Sequence, residues 1–428
     1  MEKFVLTLSF FCILTAFADR TPVRPLGDGT EESPYEIACL ENFVWLSENL
    51  PGTPEGTTVY CKQTQDIQAA ETKDDAWSEL GGFPIIKTAS SAFAFQNNFV
   101  LNYDGQGFAI KNPFIRWASE EYYGEDVGCV GIFRYGHFQL KNMVVEDADV
   151  QYCGWLGSGI LVGKAFGNST IENCSVSGTI DSKFLQGGFI EGIGGLIGHV
   201  YVSYNNSISI SQCKASVQVD GISCVGGLIG LVSMQTNSFF SLSRCYAEIN
   251  AKYSSVNGNT GGLIGDFQAD GNAECSIEDC YASFNLEKES SYRDTSAGGF
   301  IGSLGFRQNF STTNNVNDVK VNISRCYATG DIKGDFKRTA GFLAFKSVKT
   351  LAITNCYFDA TTFGLEDSFA TAKTHDELKS EATFENWDFD HVWYIEEGVS
   401  LPTLAWELPE PGMLGLVILG LLGMCRKK

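Results

Sequence analysis

A five-residue glycine-rich segment recurs along the middle of the chain and constrains its fold more than any other feature. It reads Gly-Gly-Leu-Ile-Gly three times and then has two variants, at residues 194–198, 226–230, 261–265, 298–302 and 340–344. The second glycine of the first three segments precedes a cysteine by the same distance, from Gly195 to Cys213, Gly227 to Cys245 and Gly262 to Cys280. The chain is therefore built from repeats.

The second half of each unit repeats around its cysteine. An Ile or Leu stands three residues before it in every unit, at Ile171, Ile210, Leu242, Ile277, Ile323 and Ile353. In four units a tyrosine follows the cysteine directly, at Tyr246, Tyr281, Tyr327 and Tyr357. A period of about 30 to 46 residues with short apolar segments and no helical stripe is typical of stacked β coils.

Stacking predicts how the repeated residues are used. Each coil needs its neighbours to cover its apolar face, and equivalent residues of successive coils lie about 4.8 Å apart. The Leu/Ile, Cys and Ala positions then become interior ladders, and the glycine pairs suit corners that need positive φ or close backbone approach. The sequence predicts an all-β fold, a right-handed parallel β-helix (β-solenoid) with small N- and C-terminal caps.

The rest of the chain is assigned around that solenoid. We predict five segments: a signal peptide at 1–18, an N-terminal cap with leader coils at 19–124, the repeats at 125–362, a C-terminal cap at 363–406 and a terminal segment at 407–428. The stretch 41–49 is expected to be a helix that covers the first coil. Trp387 and Trp393 are expected to seal the far end, because open coil edges favour association.

The repeats resemble a known family. The Gly-Gly-Leu-Ile-Gly segments, with Cys-Tyr-Ala-x-Gly as at 326–330, look like the GLUG motif repeats of bacterial surface and secreted proteins. The stretches 27–37 and 103–110 look like the leader coils that precede such repeats. The resemblance covers about three quarters of the chain. It implies an extracellular β-helix, often in adhesin-like proteins, and no shared catalytic residues.

The first residues predict export. Lys3 is followed by an apolar run from Phe4 to Phe17 and by the small-residue pattern that ends at Ala18. This order is typical of a secretory signal, so we expect signal peptidase to cleave between Ala18 and Asp19.

The last residues resemble a PEP-CTERM sorting signal. Pro409, Glu410 and Pro411 precede an uncharged stretch from Met413 to Cys425, which ends in the basic residues Arg426, Lys427 and Lys428. The resemblance implies an exosortase-like sorting enzyme as partner, transient membrane association, and a cell-surface or extracellular location in a Gram-negative-type bacterium. The apolar stretch is short beside the roughly 20 residues of a spanning helix. The alternative is a plain C-terminal anchor.

The charge of the chain limits its ligands. With 51 acidic and 30 basic residues the net charge is −21, so the basic stripe that nucleic acid requires is absent. The sequence contains no EF-hand loop and no calcium-binding nonapeptide. It contains no Cys-x-x-Cys pair, and its four histidines are scattered. We therefore expect no metal, no cofactor and no nucleic acid.

The fourteen cysteines divide into groups. The six repeat cysteines would point the same way in neighbouring strands, which is poor geometry for bridging, so we expect buried reduced thiols. Among the others, Cys39 with Cys61 is the best candidate for a disulfide in the exported protein.

Two hypotheses concern function. The repeats offer no column of carboxylates, and Glu172, Glu278 and Asp279 are interpreted as turn residues, so no catalytic residue is assigned. The first hypothesis is a structural or adhesive protein that binds polysaccharide, and the alternative is a β-helical polysaccharide lyase or hydrolase. Tyr246, Tyr281, Tyr327 and Tyr357 could form a platform for sugar rings, but we favour the simpler interpretation that they stack on one another at a corner.

Overall fold

The computed structural model describes residues 20–78, 81–89, 99–116, 128–151, 156–182, 192–221, 224–253, 258–288, 295–306, 319–361 and 369–408. Helical structure is sparse within these ranges. The α-helices are Leu40–Asn49 and Asp75–Ser78, and the 3₁₀ turns are Ala70–Lys73, Glu377–Lys379, Glu381–Thr383 and Ala405–Glu407.

The strands form four parallel stacks, here named sheets 1 to 4 in the order in which a coil passes through them. Sheet 1 contains Cys129–Val130, Gly157–Gly159, Ile193–Gly194, Val225–Gly226, Thr260–Gly261, Ser296–Gly298 and Arg338–Ala340. Sheet 2 contains Phe133–Lys141, Val162–Ala165, Ile197–Val202, Ile229–Met234, Ile264–Ala269 and Ile301–Phe306. Sheet 3 shares Phe133–Lys141 and adds Tyr35–Ile37, Thr58–Gln63, Val100–Asp104, Thr170–Glu172, Ser207–Ser211, Phe239–Ser243, Glu274–Glu278, Lys320–Ser324 and Thr350–Thr354. Sheet 4 contains Ile67–Gln68, Ala109–Lys111, Phe114–Arg116, Val144–Gln151, Ser175–Asp181, Lys214–Gly221, Tyr246–Tyr253, Tyr281–Lys288, Tyr327–Lys333, Tyr357–Asp359 and Thr371–Lys373.

The repeat period is one turn of a parallel β-helix. Residues at the same place in consecutive repeats pair in register, so that Ile210 lies opposite Leu242, which lies opposite Ile277, which lies opposite Ile323. Every pairing between named strands within sheets 1 to 4 is parallel. The predicted β-helix is confirmed, and its handedness stays a prediction.

The glycine pairs serve close backbone approach. Their second glycine bonds to the next coil, as in Gly195 N to Gly227 O and Gly227 N to Gly262 O, both at 3.1 Å. A Cβ atom added at Gly227 would lie 2.7 Å from the Cβ of Ala247, and one at Gly262 would lie 2.9 Å from the Cβ of Ala282. An added Cβ would meet the next coil's carbonyl oxygen more closely still, that of Gly262 above Gly227 and that of Gly299 above Gly262. The residue after each of these two sheet 1 strands therefore has room only for glycine.

The turn before each repeat cysteine has a conserved geometry within the chain. The residue before the cysteine has φ between 50° and 53° in all six units: Asn173, Gln212, Arg244, Asp279, Arg325 and Asn355. Its amide bonds to the next coil, as in Arg244 N to Glu278 O at 3.0 Å and Arg325 N to Thr354 O at 3.1 Å. The turns thus form a column of their own with identical backbone orientation.

The six repeat cysteines are buried and unbridged, as predicted. Burial raises the pKa of the Cys174, Cys213 and Cys245 thiols. A high pKa keeps a thiol protonated and unreactive, so these side chains pack as small apolar groups.

The N-terminal part contains the predicted helix and corrects the predicted disulfide. The helix Leu40–Asn49 buries Phe43, whose ring stacks on that of Tyr103 at 6.0 Å. Cys61 points into the coil, and the residue opposite it in the neighbouring strand is Tyr35, four positions before Cys39. Both thiols are free, because one is inside the coil and the other precedes the helix.

Substituting Gly262 with alanine tests the close approach of sheets 1 and 4. The added methyl must push Ala282 or the backbone aside, so Gly262→Ala should destabilise the protein by about 1–3 kcal/mol, as overpacking does. Gly52→Ala is the matched control, since a Cβ there meets no atom within 4 Å. Urea unfolding followed by circular dichroism compares the two; equal midpoints would contradict the packing.

Candidate functional site

The tyrosines after the repeat cysteines form one column on the outside of sheet 4. Tyr246 and Tyr281 stack with centroids 4.7 Å apart and ring planes 3° apart, and Tyr281 stacks on Tyr327 at 5.1 Å and 8°. The predicted stacking is therefore confirmed for Tyr246, Tyr281 and Tyr327. The rings of all four are nonetheless buried, with exposures between 2% and 8%.

The residues 374–408, here called the C-terminal strap, cover this column. The strap crosses four coils. Trp387 lies 6.1 Å from Tyr357, Trp393 lies 6.1 Å from both Tyr327 and Tyr281, and Trp406 lies 6.0 Å from Tyr246. It therefore runs back along the flank of the solenoid, towards the earlier coils.

Each strap tryptophan also bonds to a turn residue of the coil that it covers. The Nε1 atom of Trp387 donates to Asn355 O at 2.9 Å, that of Trp393 to Asp279 Oδ1 at 3.1 Å, and that of Trp406 to Arg244 O at 3.1 Å. Each tryptophan thus bonds to the left-handed turn residue of a different coil, and these equivalent bonds align the strap with the coils.

Tyrosine hydroxyls complete the strap contact. Tyr327 donates to Pro402 O at 2.6 Å, and Tyr281 donates to the two carboxylate oxygens of Glu407 at 3.1 and 3.0 Å. Burial raises the pKa of Glu407 and also that of Tyr281. The strap therefore satisfies the polar atoms of the column as well as its aromatic faces.

Two hypotheses are corrected by this contact. The tyrosine column is not a platform for sugars, because the strap occupies the ring faces. Trp387 and Trp393 do not seal the far end of the solenoid, because both lie on its flank. The strap contains the short 3₁₀ turns Glu377–Lys379 and Glu381–Thr383, and within it Trp393–Tyr394 pairs antiparallel with Thr403–Leu404.

The predicted processing sites lie outside the described residues. They are the cleavage position at Ala18 and Asp19 and the sorting residues Pro409, Glu410, Pro411, Arg426, Lys427 and Lys428. Among the helices that the structure describes, none is both long and apolar enough to cross a membrane.

The outer face of sheet 4 beside the strap presents polar rows that sequence reasoning missed. One row contains Ser177, Ser216, Glu248, Ser283 and Thr329, and the next contains Thr179, Gln218, Asn250, Asn285 and Asp331. The alternation of these residues with inward apolar residues would have located them, once the repeats were aligned on their cysteines.

These rows form a shallow groove with a volume of about 470 Å³, and Ser216, Gln218, Asn250 and Asn285 are among its lining residues. Asn285 Nδ2 donates to Asn250 Oδ1 at 3.3 Å, and Ser216 Oγ donates to Glu248 Oε2 at 3.2 Å. The Oδ1 atom of Asn285 is buried and accepts no hydrogen bond from the described residues. The side chains that the groove exposes to solvent are those of Ser216, Gln218, Glu248 and Asn250.

The acidic residues of the turns have structural partners. Asp279 accepts from Arg325 Nε at 2.7 Å and from Trp393, and Glu278 accepts from Arg325 Nη2 at 2.9 Å. Within the described ranges no group of His, Cys, Asp and Glu is arranged to hold a metal ion. The described residues therefore supply no assembled acid–base pair for catalysis at these turns.

Comparison with known proteins identifies one repeat unit. Residues 159–181 match the family model of the GLUG motif, which supports the predicted resemblance for that unit. A stretch of 167 residues is 28% identical to halomucin from Haloquadratum walsbyi. That stretch covers 38% of this chain but only 2% of halomucin.

Comparison with solved structures supports the fold. A crystal structure from Bacteroides ovatus, provisionally assigned as an immunoglobulin A1 protease, matches with a TM-score of 0.53 and 18% identity. The match covers 89% of this chain and 94% of that one. A second structure, named IgA1 protease, has a TM-score of 0.46 and 15% identity over 86% of this chain and 25% of its own. At this identity the first likeness concerns the β-helical fold alone.

Removing Trp393 tests the strap. Trp393→Ala takes away a side chain that is 1% exposed and contacts two tyrosines, so we expect a loss of about 3–5 kcal/mol from the strap–solenoid contact. The adjacent Tyr394 is 44% exposed, and Tyr394→Ala is the control. Hydrogen exchange of strap amides should accelerate only in Trp393→Ala. Unchanged protection there would show that the strap does not depend on the tyrosine column.

Proposed function

We propose that this protein is exported and serves a structural or adhesive role at the cell surface or in the extracellular matrix, where its β-helix binds polysaccharide. The proposed binding surface is the polar groove on sheet 4. The observation that carries the proposal is the in-register repetition of amide groups along the outer face of sheet 4, at Gln218, Asn250 and Asn285.

The chemistry of the groove suits a sugar chain. Its polar lining offers both donors and acceptors. The charged member is Glu248, and the uncharged members are Ser216, Gln218, Asn250, Ser283 and Asn285. Parallel strands about 4.8 Å apart repeat these groups along the solenoid axis, so several sugar units can be contacted by equivalent residues. A rigid sheet also holds the side chains in place before binding, which lowers the entropy lost on binding.

Export and sorting are proposed from the two ends of the chain. Signal peptidase would remove residues 1–18, and an exosortase-like enzyme would process the segment 407–428 after transient membrane association. The described chain ends at Leu408 next to the docked strap, where Glu407 accepts from Leu404 N and Trp406 donates to Arg244 O. We propose binding without turnover, and no observation favours the lyase or hydrolase alternative.

The experiment begins with protein isolated from membrane, surface and medium fractions of its native cells. Intact mass should show a mature N-terminus at Asp19 and a C-terminus near Pro409 to Pro411 in the surface or medium fraction. Protein that keeps Lys428 and stays in the membrane fraction would contradict sorting and indicate a plain anchor.

The isolated protein is then titrated with neutral matrix polysaccharides by calorimetry. Asn250→Ala combined with Asn285→Ala should weaken binding at least about tenfold, since two hydrogen-bonding amides are lost. Ser241→Ala combined with Ser276→Ala, in an outward row of sheet 3, is the matched control. Absence of binding to any polysaccharide would contradict the function, and release of new reducing ends would favour the enzyme alternative.

A further inference from the structure

A second polar groove lies between the turn column and the strap. It has a volume of about 560 Å³, and its lining residues include Ser211, Gln212, Arg244, Glu278, Asp279 and Arg325. These residues come from successive coils and occupy equivalent positions, the last residue of the sheet 3 strand and the left-handed residue after it. The repeat therefore provides an internal comparison between Arg244 and Arg325.

Arg325 shows what this position does when a carboxylate lies one coil below. Its Nε and Nη2 atoms contact the two oxygens of Asp279 at 2.7 and 2.9 Å, and Nη2 also contacts Glu278 Oε2 at 2.9 Å. Both carboxylates belong to the preceding coil. The contact with Asp279 is the bidentate fork that arginine makes with carboxylates.

Arg244 occupies the same position without those partners. Its φ is 52°, as is that of Arg325, so the two side chains leave the backbone in the same direction. The preceding coil offers Ser211 and Gln212 in place of Glu278 and Asp279. The Arg244 guanidinium makes no hydrogen bond or ion pair with the described residues, and Arg244 is exposed. The place that a carboxylate fills under Arg325 is thus lined by a hydroxyl and an amide under Arg244.

We propose that this groove is a subsite for an acidic sugar, in which Arg244 binds the carboxylate of a hexuronate unit of a polysaccharide. The Gln212 amide and the Ser211 hydroxyl donate to the same carboxylate or to ring hydroxyls. Glu172, about 10 Å below Arg244 at two coil spacings, accepts from hydroxyls of the next sugar. Of the two arginines that line the groove, Arg325 is bound by Glu278 and Asp279, and Arg244 is the cation left to face the ligand.

The proposal rests on polysaccharide binding, and it adds a specificity for carboxylates that the groove on sheet 4, whose charged residue is the anion Glu248, does not predict. That groove recognises hydroxyl groups, whereas Arg244 distinguishes an ionised carboxylate from its ester. Because the strap forms the other wall through Asn386, Asp388 and Val392, the subsite exists only when the strap is docked.

The test is calorimetric titration of the full-length mature protein with tetramers of galacturonate, glucuronate and mannuronate. At least one tetramer should bind, and its methyl ester should bind at least about tenfold more weakly because the charge-assisted hydrogen bonds are lost. Arg244→Gln should weaken binding of the acid by the same factor and leave binding of the ester unchanged. Lys62→Gln, which removes a cation from the N-terminal coils, is the control for net charge.

A second variant supplies Arg244 with carboxylate partners from the protein itself, so that no ligand carboxylate can bind there. Ser211→Glu combined with Gln212→Asp copies the Glu278–Asp279 pair beneath Arg244 and should abolish uronate binding without lowering the melting temperature. Asp is compatible with this backbone, since Asp279 has a φ of 53° in the equivalent turn.

The outcomes separate this proposal from the general one. Uronate binding that survives both variants, or no uronate binding while neutral polysaccharide still binds to sheet 4, would overturn the Arg244 subsite alone. If Asn250→Ala combined with Asn285→Ala no longer binds neutral polysaccharide, that result concerns the groove on sheet 4 and not the Arg244 subsite. Tighter binding of a glutamate-rich peptide than of any uronate would also overturn the proposal, because the ligand would then be a protein.

Discussion

The close approach of sheet 1 to sheet 4 is the constraint on which the structure depends. Glycine pairs in one sheet meet alanines in the other, as Gly227 meets Ala247 and Gly262 meets Ala282. This contact sets the cross-section of the coil, and equal cross-sections allow the amides of one coil to bond to the next in register. Inward positions must therefore repeat, whereas outward positions are free to differ from coil to coil.

Outward-facing positions carry different residues in the part of the solenoid that the strap covers and in the part that it leaves uncovered. Tyrosine follows the cysteine only in the four coils that the strap covers, and the two earlier coils have Ser175 and Lys214 there. The flank of the solenoid is thus specialised where the chain folds back on it. On the uncovered parts of the surface the same periodicity displays hydroxyls, amides and single charges, and the proposed glycan contacts lie there.

The sequence predicts the interior well and the strap poorly. Interior ladders such as Ile210–Leu242–Ile277 repeat at fixed spacing, so stacking follows from the pattern alone. The strap does not repeat, and its contact between Glu407 and Tyr281 joins residues 126 positions apart. Nothing in local spacing indicates which surface such a segment covers. For this reason Trp393 was expected at the end of the solenoid and not on its flank.

Two other features of the structure, the free thiols of Cys39 and Cys61 and the position of Arg244, were not predicted from the sequence for similar reasons. Export and a shared place in the N-terminal cap suggested a bridge between Cys39 and Cys61, but whether a thiol points into a coil depends on strand register, which composition does not give. The sequence alone does not single out Arg244, because the residue at this turn position differs between repeats and includes Gln212, Asp279 and Arg325. Comparison with Arg325 and the residues one coil below each of them would have shown that its partners are missing.

The claim that each repeat is one coil in register is tested most directly by a distance along the stack. Ser177 and Thr329 occupy the same outward row, four coils apart, through Ser216, Glu248 and Ser283. Spin labels introduced at both sites as unnatural amino acids should give a narrow distribution by pulsed electron paramagnetic resonance. Four spacings of about 4.8 Å predict a backbone separation of about 19 Å. A broad distribution, or one centred far beyond that distance after allowance for the label arms, would contradict the in-register solenoid.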